Sequence, residues 1–569
     1  MLDLQIFLAP LVLAILFAAW LVWPRTTRIL PTPPGPRISV FGLWKGLKMP
    51  KTFQWLTYTQ WRKIYGDIIF INVLRNPILV INTVQVARDL LDKRSAVYSS
   101  RPVRVMQKDV MGFDFLFTGM KYDSWYKQHR TMFQHHFQHN VIQKYQSLQQ
   151  RHAYTFLRNL AHTPDALEHN LRRTTAAVVL EICYGIHVAD AGDEYVALAD
   201  QALAGISEAG NFGTFCVDYF PLLKYVPSWF PGAKFKREGL KWRKLSSRLL
   251  NYAFDSVKQK LTFIFQEDGC AEPSLMTTEL ESLFREAPKK SRAAERETII
   301  KDVVATTYAA GSDTTLSALL TFVLAIVLNP DVQTKAWAEL DRVVPKDRLP
   351  CFMDRDQLPY ITCIAWECLR WRPPVNIAPG HYLTEADEYG GYRIPKGEYA
   401  PHSLNAEFDQ LMKGRHASQI CGAYYYVVLQ SGSNKLLGQC CRIQRDLQHY
   451  PNPSKFDPDR YVDVESNRRQ NINSNPEIAF GFGRRMCPGR FLALDTMWIV
   501  IASTLYCYRM DKALDSRGQE IEPRVEYTTG LISSASTEET SLAKPFKYRI
   551  LSRCRETELL VESTMNGVE

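Results

Sequence analysis

The tightest constraint in this chain is the run Phe480-Gly481-Phe482-Gly483-Arg484-Arg485-Met486-Cys487-Pro488-Gly489. Its glycines allow backbone angles that other residues resist, so the run can turn sharply and offer amide N–H groups to a sulfur atom. Pro488 suits the first position of a helix, and Arg490 to Tyr508 supplies that helix. Cys487 is therefore expected at a helix N-terminus with Arg484 and Arg485 close by, where both influences favour a thiolate over a thiol. Such a thiolate ligates a soft metal or attacks an electrophile. A buried structural cysteine beside a basic turn is the ordinary alternative.

Nothing in the 569 residues repeats and no low-complexity linker divides them, so one large domain behind an anchor is expected. Hydrophobic residues make up 46%, ample for a core, and 69 Lys+Arg against 59 Asp+Glu leave a net charge of +10. That balance suits an anionic membrane surface or an acidic partner protein. No compact basic and aromatic array is present, which argues against nucleic acid. The 12 cysteines are scattered without Cys-x-x-Cys pairs, so zinc and dithiol chemistry are not indicated, and a reducing compartment follows.

Residues 1–23 read as a membrane anchor. Ile6 to Trp23 is nearly unbroken apolar sequence, about long enough to span a bilayer, and Arg25 and Arg28 follow it, which puts the remainder in the cytosol. Residues 24–36 read as a proline-rich hinge, a stiff extended spacer. Ile68 to Val73 and Ile78 to Asn82 flank Asn76-Pro77 as a β-hairpin. Ser124 to Phe137 is expected to be helical, with His129 a surface residue. Phe212 to Gly232 is dense in aromatics, which serve either a core or a membrane-dipping entrance. The basic residues that follow, Lys234 to Lys244, read as a solvated helix face.

A long helix is expected from Thr298 to Leu328, ended by Asn329-Pro330. Inside its apolar body lies Ala310-Gly311-Ser312-Asp313-Thr314-Thr315, whose polar groups need partners; a kink with hydroxyls bonded back to carbonyls would satisfy them. Glu367 and Arg370 share one face of the helix Pro359 to Trp371.

These segments together resemble the cytochrome P450 family. Phe480, Gly483, Arg485, Cys487 and Gly489 match its haem loop Phe-x-x-Gly-x-Arg-x-Cys-x-Gly, and residues 310–315 match its Ala-Gly-x-Asp-Thr-Thr notch. The resemblance implies a mainly α fold with small β-sheets, a P450 fold behind an N-terminal transmembrane helix, with the catalytic domain at 37–555 and a tail at 556–569. It implies haem b with Cys487 as iron ligand, a family property, Arg485 on a propionate and Phe480 packed beside the thiolate. Thr314 would hold dioxygen and its water, Asp313 would relay protons, and Gly311 would leave space for the oxygen. Arg460, in Phe456-Asp457-Pro458-Asp459-Arg460-Tyr461, would close a structural triad with Glu367 and Arg370, an arrangement that makes burial of charge tolerable.

Two further haem contacts follow less directly. The family's Trp-x-x-x-Arg is replaced by Tyr126 to Arg130, because Trp125 to Arg130 is one residue too long. His381 falls where a propionate-contacting Pro-His often lies. The loop Arg101 to Gly119, with Met106, Met111, Phe113, Phe115 and Phe117, would line an apolar substrate cavity.

The resemblance breaks at 398–447, which is much longer than in relatives and is expected to replace a core strand. Part of it reads as translated intron or another gene-model error. Ser534 to Ala543 lengthens a final β-turn. The implied activity is monooxygenation of a small lipophilic substrate, with electrons from NADPH-cytochrome P450 reductase and cytochrome b5 as a further partner, at the endoplasmic reticulum membrane. No flavin or nicotinamide fingerprint occurs in this chain. A haem-binding but inactive product, or a rearrangement or dehydration enzyme, stays open.

Overall fold

The computed structural model describes residues 30–36, 53–73, 76–188, 193–210, 214–266, 272–286, 290–396, 435–438, 452–462, 476–523 and 546–564. The expected anchor at 1–23 and the departure at 534–543 lie outside them. The principal helices are α1 (Gln54–Tyr65), α2 (Ser124–Phe137), α3 (Gln146–His162), α4 (Leu167–Tyr184), α5 (Glu194–Gly210), α6 (Lys234–Gln266), α7 (Leu275–Glu286), α8 (Lys290–Leu328), α9 (Pro330–Val343), α10 (Pro359–Trp371), α11 (Arg490–Cys507) and α12 (Arg555–Ser563). The strands are β1 (Ile68–Val73), β2 (Asn76–Ile81), β3 (His381–Tyr382), β4 (Asp387–Tyr389), β5 (Tyr392–Ile394), β6 (Lys435–Gly438), β7 (Tyr508–Lys512) and β8 (Tyr548–Ser552).

The fold is organised around α8. It starts at Lys290, earlier than the apolar pattern alone indicates, because Ala293 to Glu297 are mostly good helix formers that add turns before the buried part begins. Pro330 then opens α9 at its first position, where a missing N–H costs nothing. Leu316 to Val327 are buried all around α8, as in a helix enclosed by others. One core gathers Ile299 to Ala309 with α2, α4, α5 and α6. A second gathers Leu316 to Val327 with α3, α9, α10 and α11. The polar notch at 310–315 falls where these two cores meet, so its side chains sit mid-protein without being packed in either.

The larger sheet has the order β1-β2-β6-β3. The hairpin forms as its β-branched pattern predicts, pairing Ile68 with Ile81. β6 runs parallel to β2, with Ile78 opposite Lys435, and antiparallel to β3, with His381 opposite Leu436. This corrects the expectation that 398–447 replaces a core strand: the strand is kept, but its sequence lies near the end of that stretch. Strand pairing depends on backbone groups meeting in space, and separation along the chain does not forbid it.

Both flanking segments touch the domain. The proline-rich segment expected as a spacer lies along the sheet: the Phe70 N–H donates to the Pro34 carbonyl (2.9 Å), the Arg393 N–H donates to that of Pro31 (2.9 Å), and Pro33 is buried. The C-terminal tail docks on the domain over its described part. Residues 555–563 form α12, which buries Thr557 and Val561, and the Arg158 guanidinium donates to the Thr564 carbonyl (2.6 Å).

Candidate active site

The cysteine loop closes through the Cys487 N–H donating to the Phe480 carbonyl at 2.7 Å. Gly483 has φ +56°, and a Cβ there would overlap the Leu91 carbonyl oxygen, so only glycine fits. Gly489 caps α11; a Cβ there would meet Phe133 at an ordinary 3.7 Å. The cations around Cys487 differ from expectation. Arg484 lies over the Tyr122 ring and Arg485 turns away, so neither acts on the sulfur. Burial pushes the Cys487 thiol up, opposed by the Gly489 amide and by Arg130 and Arg490. In the chain alone burial wins, and a bound cation of high charge would be needed to hold the thiolate.

Arg485 is a buried guanidinium. Its Nε donates to the Ser99 carbonyl (2.6 Å), one Nη donates to the Met120 carbonyl (2.6 Å), and Nη1 has no partner. It stacks 3.6 Å from the centre of the Tyr126 ring, and the Tyr126 hydroxyl donates to the Arg484 carbonyl (3.3 Å). Tyr126 thus supports Arg485 on α2, with Arg130 half-buried one turn further and close enough for its charge to be felt at Arg485.

Sequence reasoning missed Arg101. It is buried and donates to the carbonyls of Thr118 (3.1 Å), Pro379 (2.6 Å) and Gly380 (3.0 Å), and burial beside Arg485 depresses it to about 9. His381 joins the same cluster: its Nδ1–H donates to the Tyr98 carbonyl (2.8 Å), and burial with Arg101 holds it neutral, well below the usual imidazole range. None of Arg101, Arg130 and Arg485 meets a carboxylate among the described residues.

His129, expected at the surface, is fully buried. Its Nδ1 lies 2.8 Å from the Trp125 carbonyl and its Nε2 lies 3.1 Å from Asp302 Oδ2 on α8. The helix α2 turns this face inward because Tyr126, Phe133 and Phe137 anchor it there.

In the notch, α8 remains helical. The Thr314 hydroxyl donates to the Ala310 carbonyl (2.7 Å), and those of Ser312 and Thr315 donate to Tyr308 (3.2 Å) and Gly311 (2.8 Å). Gly311 faces α4. A Cβ on it would meet Val179 of α4 at 3.3 Å, so the glycine allows close packing of α4 on α8, while Ala310 presents the exposed surface. Asp313 accepts from Arg172 Nη1 at 3.3 Å, and its second oxygen is buried without a partner. Burial raises its carboxyl to about 7, Arg172 pulling it down and Asp200 pushing it up. Arg172 also meets Asp200 (3.3 Å) and Glu168 (3.4 Å).

The triad assembles as its order along the chain implies. Glu367, fully buried, accepts from Arg370 Nε (2.7 Å) and Nη2 (2.7 Å), from Arg460 Nε (3.1 Å) and from the Asp457 N–H (2.8 Å). Arg370 also donates to the Pro453 carbonyl (2.9 Å). The network ties α10 to residues 453–460, ahead of the cysteine loop.

A cavity of about 220 Å³ lies over the notch, lined by Thr306, Ala309 and Ala310 of α8, Leu203 and Ile206 of α5, and Phe113 and Leu116. Of the apolar residues expected to line it, Phe113 does. Met106, Met111, Phe115 and Phe117 pack in the core instead, because the loop is locally helical at Met106–Val110 and Phe117–Gly119 and turns those side chains inward.

These residues fit a haem. Cys487 offers a soft donor, and Arg485 Nη1 with its neighbouring guanidiniums forms a buried positive cluster that demands anionic oxygens such as propionates. A sulfur ligand loop, a guanidinium cradle and a polar notch beneath an apolar cavity, in a mainly helical fold, define the class of thiolate-ligated haem oxygenases.

The comparisons agree. The family described as Cytochrome P450 matches residues 32–399 and 435–531. Cytochrome P450 monooxygenase 98 of Postia placenta is 33% identical over 550 residues, covering 96% of both chains. A cytochrome P450 monooxygenase of Armillaria gallica is 36% identical over 532 residues, 92% of this chain and 94% of that one. Tryptamine 4-monooxygenase of Psilocybe cyanescens is 32% identical over 534 residues, 94% of each. A zebrafish cytochrome P450 solved with abiraterone superposes with a TM-score of 0.62 at 18% identity, covering 88% of this chain and 99% of that one. The chain belongs to the cytochrome P450 family, and it is an oxidoreductase of the monooxygenase type.

Proposed function

We propose that this protein inserts one atom of dioxygen into a lipophilic organic substrate, in secondary metabolism or xenobiotic oxidation. Electrons come from NADPH through a separate NADPH-cytochrome P450 reductase, with cytochrome b5 as a second donor. The haem, read as haem b, supplies dioxygen activation when bound. Cys487 would give it a thiolate, and Arg101, Arg130, Arg485 and His381 would receive its propionates, with Tyr126 keeping Arg485 in place. Asp313, poised near neutral pH, takes protons from the Arg172 side. It would carry them toward the notch, where the Ala310 carbonyl orients the Thr314 hydroxyl. The apolar wall above Ala309 and Ala310 excludes water and holds the substrate.

The observation that carries this reading is the buried Asp313, one oxygen of which has no hydrogen-bond partner, in the same helix notch as Thr314. A proton carrier tuned near neutrality serves oxygen insertion, whereas rearrangement or dehydration needs no outside protons, so insertion is favoured. The presence of β6 in the sheet favours an active enzyme over an inert haem binder. Carbon monoxide difference spectroscopy of the reduced protein, followed by product profiling with reductase in microsomes, tests the reading. A missing thiolate-type Soret band, or product formation that ignores the reductase, overturns it.

The endoplasmic reticulum membrane is the proposed location, with a single span and the catalytic domain in the cytosol. The apolar run Ile6 to Trp23 followed by Arg25 and Arg28 supports it. So do Trp229 and Phe230, 75% and 44% exposed, as a second apolar contact with lipid. Residues 400–434, between the two matched stretches, are the inserted part of 398–447, and we ascribe part of them to translated intron; a mature transcript encoding them intact refutes that.

A further inference from the structure

Cradle, cavity and notch leave one buried polar pair without a task. His129 on α2 and Asp302 on α8 are both buried. The His129 Nδ1 lies 2.8 Å from the Trp125 carbonyl, which can only accept, so Nδ1 carries a hydrogen. That leaves Nε2 to face Asp302 Oδ2 at 3.1 Å. Two lone pairs would repel at that distance, so a proton lies between them, and the contact holds with the proton on either partner. Burial and Asp114 raise the Asp302 carboxyl, while His129 and Lys301 lower it.

Stability does not explain the pair. Apolar side chains of similar volume would serve a buried helix contact as well or better, and α2 already buries Tyr126, Phe133 and Phe137. What the polar pair adds is direction. Apolar contacts tolerate a small rotation of α2 against α8, whereas a hydrogen bond to one ring nitrogen weakens steeply as its angle changes. The residue after His129 is Arg130, and consecutive helix positions diverge by about 100°. With His129 turned to α8, Arg130 therefore emerges on the flank of α2. Its charge is felt at both Arg485 and Cys487, which sets it between the guanidinium cradle and the sulfur loop.

Resting on the haem-cradle reading above, we propose that the His129–Asp302 pair is a positioning device. It fixes the rotation of α2 against α8 and so holds the Arg130 guanidinium where it meets a haem propionate.

The test uses the full-length haem-loaded protein and the rate at which haem transfers to an excess of a haem-scavenging apoprotein. Asp302→Leu and His129→Phe remove the contact from either side. Each is expected to speed transfer about tenfold, as Arg130→Met does, the worth of one charge-assisted contact. Asp302→Asn, whose amide can donate to a neutral Nε2, is expected to keep the unsubstituted rate. A double-mutant cycle separates positioning from a merely structural role. In an Arg130→Met background, Asp302→Leu should change the rate by no more than about twofold, because no guanidinium is left to misplace. A second tenfold acceleration there, failure to fold in either background, or no acceleration when Arg130 is present overturns the assignment. If Arg130→Met holds haem as tightly as the unsubstituted protein, Arg130 leaves the cradle and this inference falls with it. A missing thiolate-type band in the reduced carbon monoxide spectrum of the unsubstituted protein overturns the monooxygenase reading and the inference together.

Discussion

Arg172 sits outside the cavity, yet it acts on the charge of Asp313, the proposed proton carrier, and replacing it with methionine has a calculable effect. Its Nη1 lies 3.3 Å from Asp313 and 3.3 Å from Asp200. At an effective dielectric of about 20, a pair at that distance interacts by roughly 5 kcal/mol. Each of the three carboxylates it meets, Asp313, Asp200 and Glu168, feels the whole of that charge. Solvent and relaxation reduce the net effect on a neighbouring carboxyl to about 1–3 pKa units, of which we take the low end, about one unit or 1.4 kcal/mol. Arg172→Met should therefore move the Asp313 carboxyl from about 7 up by about one unit. Asp200→Asn removes a repelling charge and should move it down.

The assay is the pH profile of product formed per NADPH consumed, with reductase saturating. Its ionisation near neutrality should shift upward in the first variant and downward in the second, although neither residue lines the cavity. Shifts of the same sign, or none, would refute the reasoning. The linked stability has a definite sign as well. Folding raises the Asp313 carboxyl from 3.8 to about 7, so the native state holds this proton where the unfolded chain has lost it. The stability from this group is full below about pH 4 and is lost as pH rises toward 7; Arg172→Met carries that loss to higher pH.

Glu367→Ala leaves Arg370 buried without its carboxylate and should cost about 3–5 kcal/mol, read as a fall in denaturation midpoint together with haem release; a midpoint unchanged within error would contradict the buried network. Gly483→Ala meets both a strained φ and the Leu91 carbonyl, and should abolish the thiolate-type band while leaving α-helical circular dichroism largely intact. Arg101→Met should lower haem retention on dilution by about tenfold, the loss of one charged hydrogen bond; retention equal to that of the unsubstituted protein would remove Arg101 from the cradle. Deleting residues 400–434 should leave the spectrum unchanged and alter stability by no more than about 1 kcal/mol, since loop-closure entropy varies slowly with length.

The signals that could be read from sequence were those in which chemistry is written into local spacing. The cysteine loop combines glycines, an arginine and a cysteine within ten positions, and the notch interrupts an apolar helix with an acid and hydroxyls. Glu367 and Arg370 stand one turn apart on a helix face, which is enough to expect a pair. Arg101 gave no comparable sign, because its partners are backbone carbonyls at Thr118, Pro379 and Gly380, and any residue type can offer those. His129 was misplaced for a related reason: its partner Asp302 lies 173 residues away, and a polar residue on a mixed helix face looks solvated until the facing helix is known.

Sequence alone, through its resemblance to the cytochrome P450 family, determined that a haem-type cysteine loop and a polar helix notch belong to this protein, since each is written in residues at short, fixed separations along a turn or helix. Only the tertiary structure decided which charges those sites feel. It turned Arg484 and Arg485 away from Cys487, brought Arg130 and Arg490 toward it, and set Arg172 and Asp200 against Asp313. It also kept β6 in the sheet. The reason is physical: hydrogen-bonded turns and helices are fixed by neighbours a few residues away, whereas burial, electrostatic field and strand pairing depend on segments far apart along the chain that meet only when it folds.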